Sequence, residues 1–460
     1  MQLKVINPYD QKIYVELPYD TEPQIQLKLQ SARQAFEKWR RTPLQDRIAV
    51  IREGLSYFEA HRDQIAEEIS SQMGKPIAQS HNEFGGFFER ANTMLEIAPQ
   101  ALESDLLPPL EGFYRRIDRE PLGVVLDIAA WNYPLLIAVN VIVPALAAGN
   151  SVLIKHSAKT PLCGVHFEKA FGGQVPGLVQ NLILNHKQTL KIIRTRALDH
   201  VVFTGSVPGG REVYRAVAEC LIAAGLELGG KDPAYVAEDA DLAFATANIV
   251  DGGCYNAGQS CCAIERVYVH RKHYDAFIDQ ARQVMSTYRL GDPLDKTVTM
   301  GPLATSTTIQ LLDAQIRSAQ DQGARMVLGG KRMDQSPGNF YLPTLLVDVP
   351  NDADIMQEEN FGPVLPVCPV ENDAKALKMM NASRYGLTAS VWTSDRRRAE
   401  WFASRLNTGT VYQNRCDYLD PALPWTGVGE SGFGVSLSRY GFHHLTRCKS
   451  IHFRTGPIQG

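Results

Sequence analysis

Two adjacent thiols, Cys261 and Cys262, stand in the segment YNAGQSCCAIERVYVH, Tyr255 to His270. The turn Gly258-Gln259-Ser260 precedes them, and glycine allows close backbone approach and dihedrals that other residues avoid. A thiol on such a turn can meet a ligand while its own backbone N–H points at an oxyanion. Taken alone, the stretch leaves four readings open: core filler, a disulfide, half of a metal site, or a nucleophile. Glu227 ends an apolar run in LELGGKDP, residues 226–233. A carboxylate in apolar surroundings is pushed toward its neutral form, which suits a general base near neutral pH. Taken by itself, an ordinary strand-end ion pair explains it better. In AAWNYPLL, residues 129–136, the Asn132 amide could donate to an oxyanion or simply open the turn before Pro134. FTGSVPGG, residues 203–210, is a glycine turn able to bring backbone N–H groups to a phosphate, although it is not the usual dinucleotide fingerprint. EENFGPV, residues 358–364, offers Glu359 for ribose hydroxyls and Phe361 to stack on a flat ring.

The elements that must position these groups follow from periodicity. Residues 1–20 carry strand alternation broken by turn signals, which predicts a hairpin. Apolar residues at helical spacing predict helices over 23–40, 46–73 and about 80–102. From residue 122 short β-branched runs alternate with helical stretches: VVLDIAAW, SVLIKH, NLILNH, HVVFTGS and GLELGG. That cadence predicts a parallel sheet with right-handed crossovers, with ligands beyond the strand C-termini. Residues 232–430 repeat the α/β texture and predict a second unit. Two alternating basic segments, 112–123 and 445–456, fit neither core and read as arms that pair at a subunit edge.

Bulk properties exclude several classes. The chain has 460 residues, 21% of them charged, and a net charge of −3 with no Lys/Arg block, so a nucleic-acid footprint is not expected. The first twenty residues lack a basic stretch followed by an apolar core, so no signal peptide is expected. Eight scattered cysteines without a CxxC pair argue for reduced thiols in a cytoplasmic compartment and against zinc.

The order and spacing of Asn132, Lys155, the 205–210 turn, Glu227, Cys261 and Glu359 resemble the NAD(P)-dependent aldehyde dehydrogenase superfamily, with Glu227 and Cys261 separated by 34 positions as that family's base and nucleophile are. The resemblance covers essentially the whole chain. It implies an α/β fold: a Rossmann-like cofactor domain (1–103 and 122–229), an α/β catalytic domain (230–430) and a small β oligomerisation arm (104–121 and 431–460). It implies oxidation of an aldehyde to an acid, with Cys261 as nucleophile, Asn132 as oxyanion donor and Glu227 as the base that activates water. Trp131, Lys155, Ser157, Ala158, Gly205, Ser206, Gly210, Leu228, Glu359 and Phe361 would hold the cofactor. Ala158 stands where NAD-preferring relatives often carry Glu, so NADP or dual use is expected. Glu430 stands near the place of a Lys that is usual in the family's C-terminal turn. The acyl pocket would be lined by Tyr133, Ile137, Tyr255, Ser260, Cys262 and Trp425, with Arg415 (or Arg439) able to anchor a substrate carboxylate, as in succinate-semialdehyde dehydrogenases. A homodimer or homotetramer is expected, and no metal, nucleic acid or membrane. The non-dehydrogenase alternative, a thiol hydrolase, needs a histidine for Cys261, and the nearest, His270, lies beyond a predicted strand. A non-catalytic scaffold is expected to have lost Cys261, Glu227 or Asn132, and all three are present.

Overall fold

The computed structural model describes residues 2–334 and 336–456. Its first large sheet has six strands in the order Gly432–Phe433, Ala223–Glu227, His200–Thr204, Val124–Ala129, Ser151–His156, Val179–Asn181. All pairings are parallel except that of Gly432–Phe433, which runs antiparallel to Ala223–Glu227. Val124–Ala129 and Ser151–His156 are buried at every position, as strands covered by helices on both faces must be. Chain order reverses between Val124–Ala129 and the neighbouring His200–Thr204, which opens a crevice at their C-terminal ends. The helix after the first of these, Pro134–Ala148, is almost wholly buried, starts with proline in its first turn and stops at Gly149 with φ 101°.

The second sheet runs Arg325–Leu328, Thr344–Val347, Val364–Val370, Ile264–His270, Asp232–Val236, Thr388–Trp392, Thr410–Gln413, parallel apart from its first pair. Cys261 precedes the strand Ile264–His270 and Glu359 precedes Val364–Val370, so this sheet presents strand N-termini to the crevice where the first presents C-termini.

The predicted hairpin is Gln2–Ile6 with Ile13–Pro18. The helical stretch expected over 46–73 is two helices, Leu44–Ala60 and Arg62–Met73, because His61 leaves helical geometry and bonds its Nδ1 to the Tyr57 carbonyl. The two basic arms pair over nine residues, Phe113–Pro121 against Thr446–Arg454, with Asp105–Leu106 as a third strand. Residues 431–445, expected within the arm, are not part of it. Gly432–Phe433 completes the six-stranded sheet, and the helix Ser438–His444 packs on Ile77–Ala101 and Pro134–Ala148. Among the described residues no helix is long and apolar enough to cross a membrane.

Candidate active site

Two cavities meet at Cys261. One, of about 210 Å³, lies in the crevice of the six-stranded sheet and is lined by Trp131, Asn132, Gly205, Ser206, Glu359 and Phe361 among others. The other, of about 330 Å³, extends between the helices Ile77–Ala101 and Pro134–Ala148 and the 417–425 loop. Asn132, Thr204, Glu227, Leu228 and Cys261 line both. Three residues that were far apart in sequence, Asn132, Glu227 and Cys261, therefore share one wall.

The loop that carries Cys261 is held under strain. Asn256, Ala257 and Gly258 have φ of 52°, 54° and 73°, three left-handed residues in a row, two of which are not glycine. A Cβ on Gly258 would lie 2.2 Å from the Gly362 carbonyl oxygen, so only glycine allows the two backbones to meet. The Asn256 amide donates to the carbonyls of Asn132 and Gln259, each at 3.1 Å, tying the Asn132 loop to the Cys261 loop. The two cysteines part company here. Cys262 is buried, and its Sγ donates to Asp417 Oδ1 at 3.1 Å. A hydrogen bond to Cys261, burial and the Asp417 carboxylate together hold the Cys262 thiol well above its usual range. Cys261 faces both cavities.

Glu227 ends its strand with Oε1 accepting from Ser436 Oγ and Oε2 from Thr204 Oγ1. It is enclosed by protein except toward the cavities, and that burial raises it above the carboxylate range against the pull of Ser436, Arg90 and Thr204. Asn132 is 4% exposed and lines the same two cavities. The arrangement can hold a tetrahedral alkoxide between the Asn132 amide and the Cys261 N–H, and can pull a proton from a water near Cys261. We expect Asn132→Ala to lower turnover by about 10²–10³-fold, the usual effect of losing one oxyanion donor, with cofactor affinity retained. Steady-state kinetics beside a cofactor titration checks this.

The crevice fits a dinucleotide. Ser206 caps the helix Val207–Ala218 by accepting from Gly209 N, and the helix N-terminus opens on the smaller cavity. Lys155 is buried at the end of its strand, and burial lowers it to about 8. Ser157 and Ala158 follow, and Lys159 sets its ammonium 5.7 Å from the centre of the Trp131 ring. Phe361 meets Trp131 edge-on at 5.5 Å. Glu359 accepts from Gly230 N at 3.3 Å, and burial lifts it to about 8. A Cβ on Gly229 would meet Glu359 at 2.3 Å, so glycine makes room for that carboxylate. Gly210 does not line the crevice: its missing side chain admits Leu228, which a Cβ would meet at 2.5 Å.

Tyr133, Ile137, Tyr255, Ser260, Cys262 and Trp425 all line the larger cavity. Arg415 does not. It is exposed and stacks on Tyr418, 3.4 Å from the ring centre. The cation in the cavity is Arg90, 8% exposed, which donates to the Leu136 carbonyl and Asn140 Oδ1, both at 3.3 Å. Sequence reasoning missed it, and it missed three supports besides. Glu83, paired with Lys75 at 2.5 Å, accepts from Leu135 N and Leu136 N and so fixes the start of the helix after Asn132. Glu265 accepts from Lys231 and from the backbone N–H groups of Asn360 and Phe361, holding the Glu359 loop. Asp417, with φ 46°, accepts from Ser260 and Cys262 on either side of Cys261.

Comparison with known proteins gives the same assignment. The pattern of the aldehyde dehydrogenase family matches residues 1–451. A succinate-semialdehyde dehydrogenase [NADP(+)] of Deinococcus radiodurans is 35% identical over 448 residues, 97% of this chain and 94% of that protein. An aldehyde dehydrogenase of Paenarthrobacter nicotinovorans is 32% identical, covering 94% of this chain and 95% of its own. Among solved structures, succinic semialdehyde dehydrogenase from Streptococcus pyogenes with NADP+ superposes with a TM-score of 0.94 at 28% identity, over 98% of this chain and 100% of that one. Betaine aldehyde dehydrogenase from Staphylococcus aureus with NAD+ gives 0.95 at 29% identity, over 100% and 93%. With the fold, the crevice and a match along nearly its whole length in agreement, the chain belongs to the aldehyde dehydrogenase family and is an NAD(P)-dependent aldehyde dehydrogenase.

Proposed function

We propose that the enzyme oxidises a short aldehyde carrying a distal carboxylate, a semialdehyde, with NADP favoured over NAD. Arg90 carries the reading. It is a buried guanidinium whose two hydrogen-bond partners are neutral, and a buried cation is costly unless an anion meets it. The carboxylates across the cavity are poor partners, since burial drives both Glu227 and Asp417 toward their neutral forms and Glu83 is committed to Lys75. A substrate carboxylate beside Arg90 leaves the carbonyl end for Cys261 in the same cavity. Relatives named for succinate semialdehyde and NADP agree with this choice.

The chemistry follows from the shared wall. The Cys261 thiolate adds to the aldehyde carbon, and the new alkoxide is held by Asn132 and the Cys261 N–H. A bound nicotinamide cofactor supplies the acceptor for the hydride that leaves this carbon. The thioester that remains is attacked by a water whose proton goes to Glu227, and the C–S bond breaks to release the acid. Lys155, Ser157 and Lys159 would offer a ribose 2′-phosphate two cations and a hydroxyl, and Ala158 sets no carboxylate among them. In this reading the six-stranded sheet carries the cofactor and the seven-stranded sheet the nucleophile. The basic arm, with Leu106 72% and Phe453 57% exposed, joins copies into a dimer or tetramer.

A second reading rests on a separate observation. Tyr133, Tyr255, Trp425 and Asp417 surround the same cavity, and an aromatic lining with an acid suits a cationic amino aldehyde. One experiment separates the two: kcat/KM for succinate semialdehyde, butanal and 4-aminobutanal, each with NADP and NAD, in the native enzyme and in Arg90→Leu. The semialdehyde is expected to be preferred, and Arg90→Leu to cost it about 10²-fold, as loss of a buried charge-assisted pair does, while butanal changes little. Preference for 4-aminobutanal overturns the reading, and a strong NAD preference overturns the cofactor choice.

A further inference from the structure

Behind Glu227, on the side away from Cys261, lies a third and smaller cavity of about 20 Å³. A single water needs roughly 10–15 Å³, so it holds one and not a chain. Glu227, Ser436, Asn140 and His444 are among the groups on its wall. Ser436 Oγ is already bonded to Glu227 Oε1. His444 Nε2 is buried at this wall and has no protein partner. Two glycines make room for that nitrogen: a Cβ on Gly225 would lie 2.8 Å from it and one on Gly434 2.9 Å. His444 as a whole is partly exposed, and its Nδ1 is not among the enclosed side-chain atoms that lack a partner. The buried ring of His200 packs edge-on against it at 5.0 Å and is kept neutral, lowered to about 3 by burial and by His444. The cavity shares Glu227 with the cofactor crevice but no other lining group.

We propose that Ser436, one enclosed water and His444 form a route that returns the proton from Glu227 to solvent after each hydrolysis. The inference rests on Glu227 being the base that activates water. The Glu227 carboxyl gives its proton to Ser436 Oγ, which passes its own to the water. The water passes one to His444 Nε2, and the imidazole releases the proton on Nδ1 to solvent. Each O–H or N–H bond broken is replaced by one formed, and the net change is one proton moved from Glu227 to bulk water. Neutral imidazole suits this exchange because its two nitrogens can accept and donate in turn. The route runs on the far side of Glu227 from the cofactor, so it stays open while the crevice is filled. His444 acts through Ser436 and is a positioning and relay residue, not a group that meets the substrate.

Step-resolved kinetics tests this. Stopped-flow reads the NADPH burst, which reports folding and hydride transfer, and rapid-quench mass spectrometry reads decay of the thioester. In His444→Ala the burst is expected to keep its amplitude and rate. Thioester decay should slow by about tenfold, less than the roughly 10²–10⁴ lost with a direct general base. Added imidazole should restore the decay. Ser436→Ala should show the same slowing without rescue by imidazole. Thioester decay at the native rate in His444→Ala overturns the proposal, and so does a slowing that imidazole leaves untouched, which marks a structural effect. Glu227→Gln distinguishes the underlying reading: if it hydrolyses the thioester at the native rate, the base assignment itself falls and the relay falls with it.

Discussion

Cys261→Ala is expected to abolish aldehyde oxidation, by at least about 10⁴-fold, while Cys262→Ala keeps it. Removing a covalent nucleophile collapses a mechanism whose parts act as a unit, so the remaining oxyanion donors rescue little. The neighbouring thiol cannot replace it. Its Sγ is turned into the core toward Asp417, and its hydrogen bond to Cys261, its burial and that carboxylate all oppose the thiolate. Nucleophilic reactivity follows the thiolate, so Cys262 stays inert beside a reactive partner. Aldehyde-dependent growth of the reduced-nicotinamide absorbance measures the loss. Retained cofactor binding in Cys261→Ala shows that the fold survives. Turnover surviving in Cys261→Ala and vanishing in Cys262→Ala would reverse the assignment.

The second large effect is a trapped intermediate. Glu227→Gln is expected to give one equivalent of reduced cofactor per active site and then stall, with the acyl group detectable on the Cys261 peptide by mass spectrometry. The amide keeps the size of the carboxylate and can still bond Ser436, but it takes no proton from water, a loss of about 10²–10⁴ in thioester hydrolysis. The native enzyme should show the matching pH dependence. The base must be ionised to work, and burial raises its folded-state pKa, so hydrolysis falls as pH drops through that raised value. The acidic limb should therefore lie above the ordinary carboxylate range and vanish in Glu227→Gln. Continued turnover in the variant would assign the water-activating role elsewhere.

How much of this was legible in the sequence depends on the kind of signal. The β-branched runs from residue 122 marked the six-stranded sheet because strands buried on both faces are apolar throughout. Asn132, Glu227 and Cys261 were legible only together: each short motif alone leaves a bland reading open, and it is their order and spacing along the chain, through the resemblance to a family, that singles them out. Arg90 was not: on a helix its direction depends on how that helix packs against Pro134–Ala148, and nothing nearby in sequence encodes it. Arg415 belongs to a loop that does line the larger cavity, but left-handed residues at Asn414 and Asp417 turn the chain so that Asp417 faces in and Arg415 faces out. Gly210 was read as a phosphate contact because a glycine for close packing and a glycine for a ligand look alike in a string. Asp417 and Ser436 come late in the chain and reach the site only through tertiary folding.

The amide of Asn256 bonds at once to the loop of the first sheet and to the loop of the second. Neither folding unit owns the catalytic centre. A small slip between the two sheets would disarm the thiol without unfolding either. Activity in this enzyme is therefore a gauge of assembly, and under rising denaturant it should fade before the helical signal does.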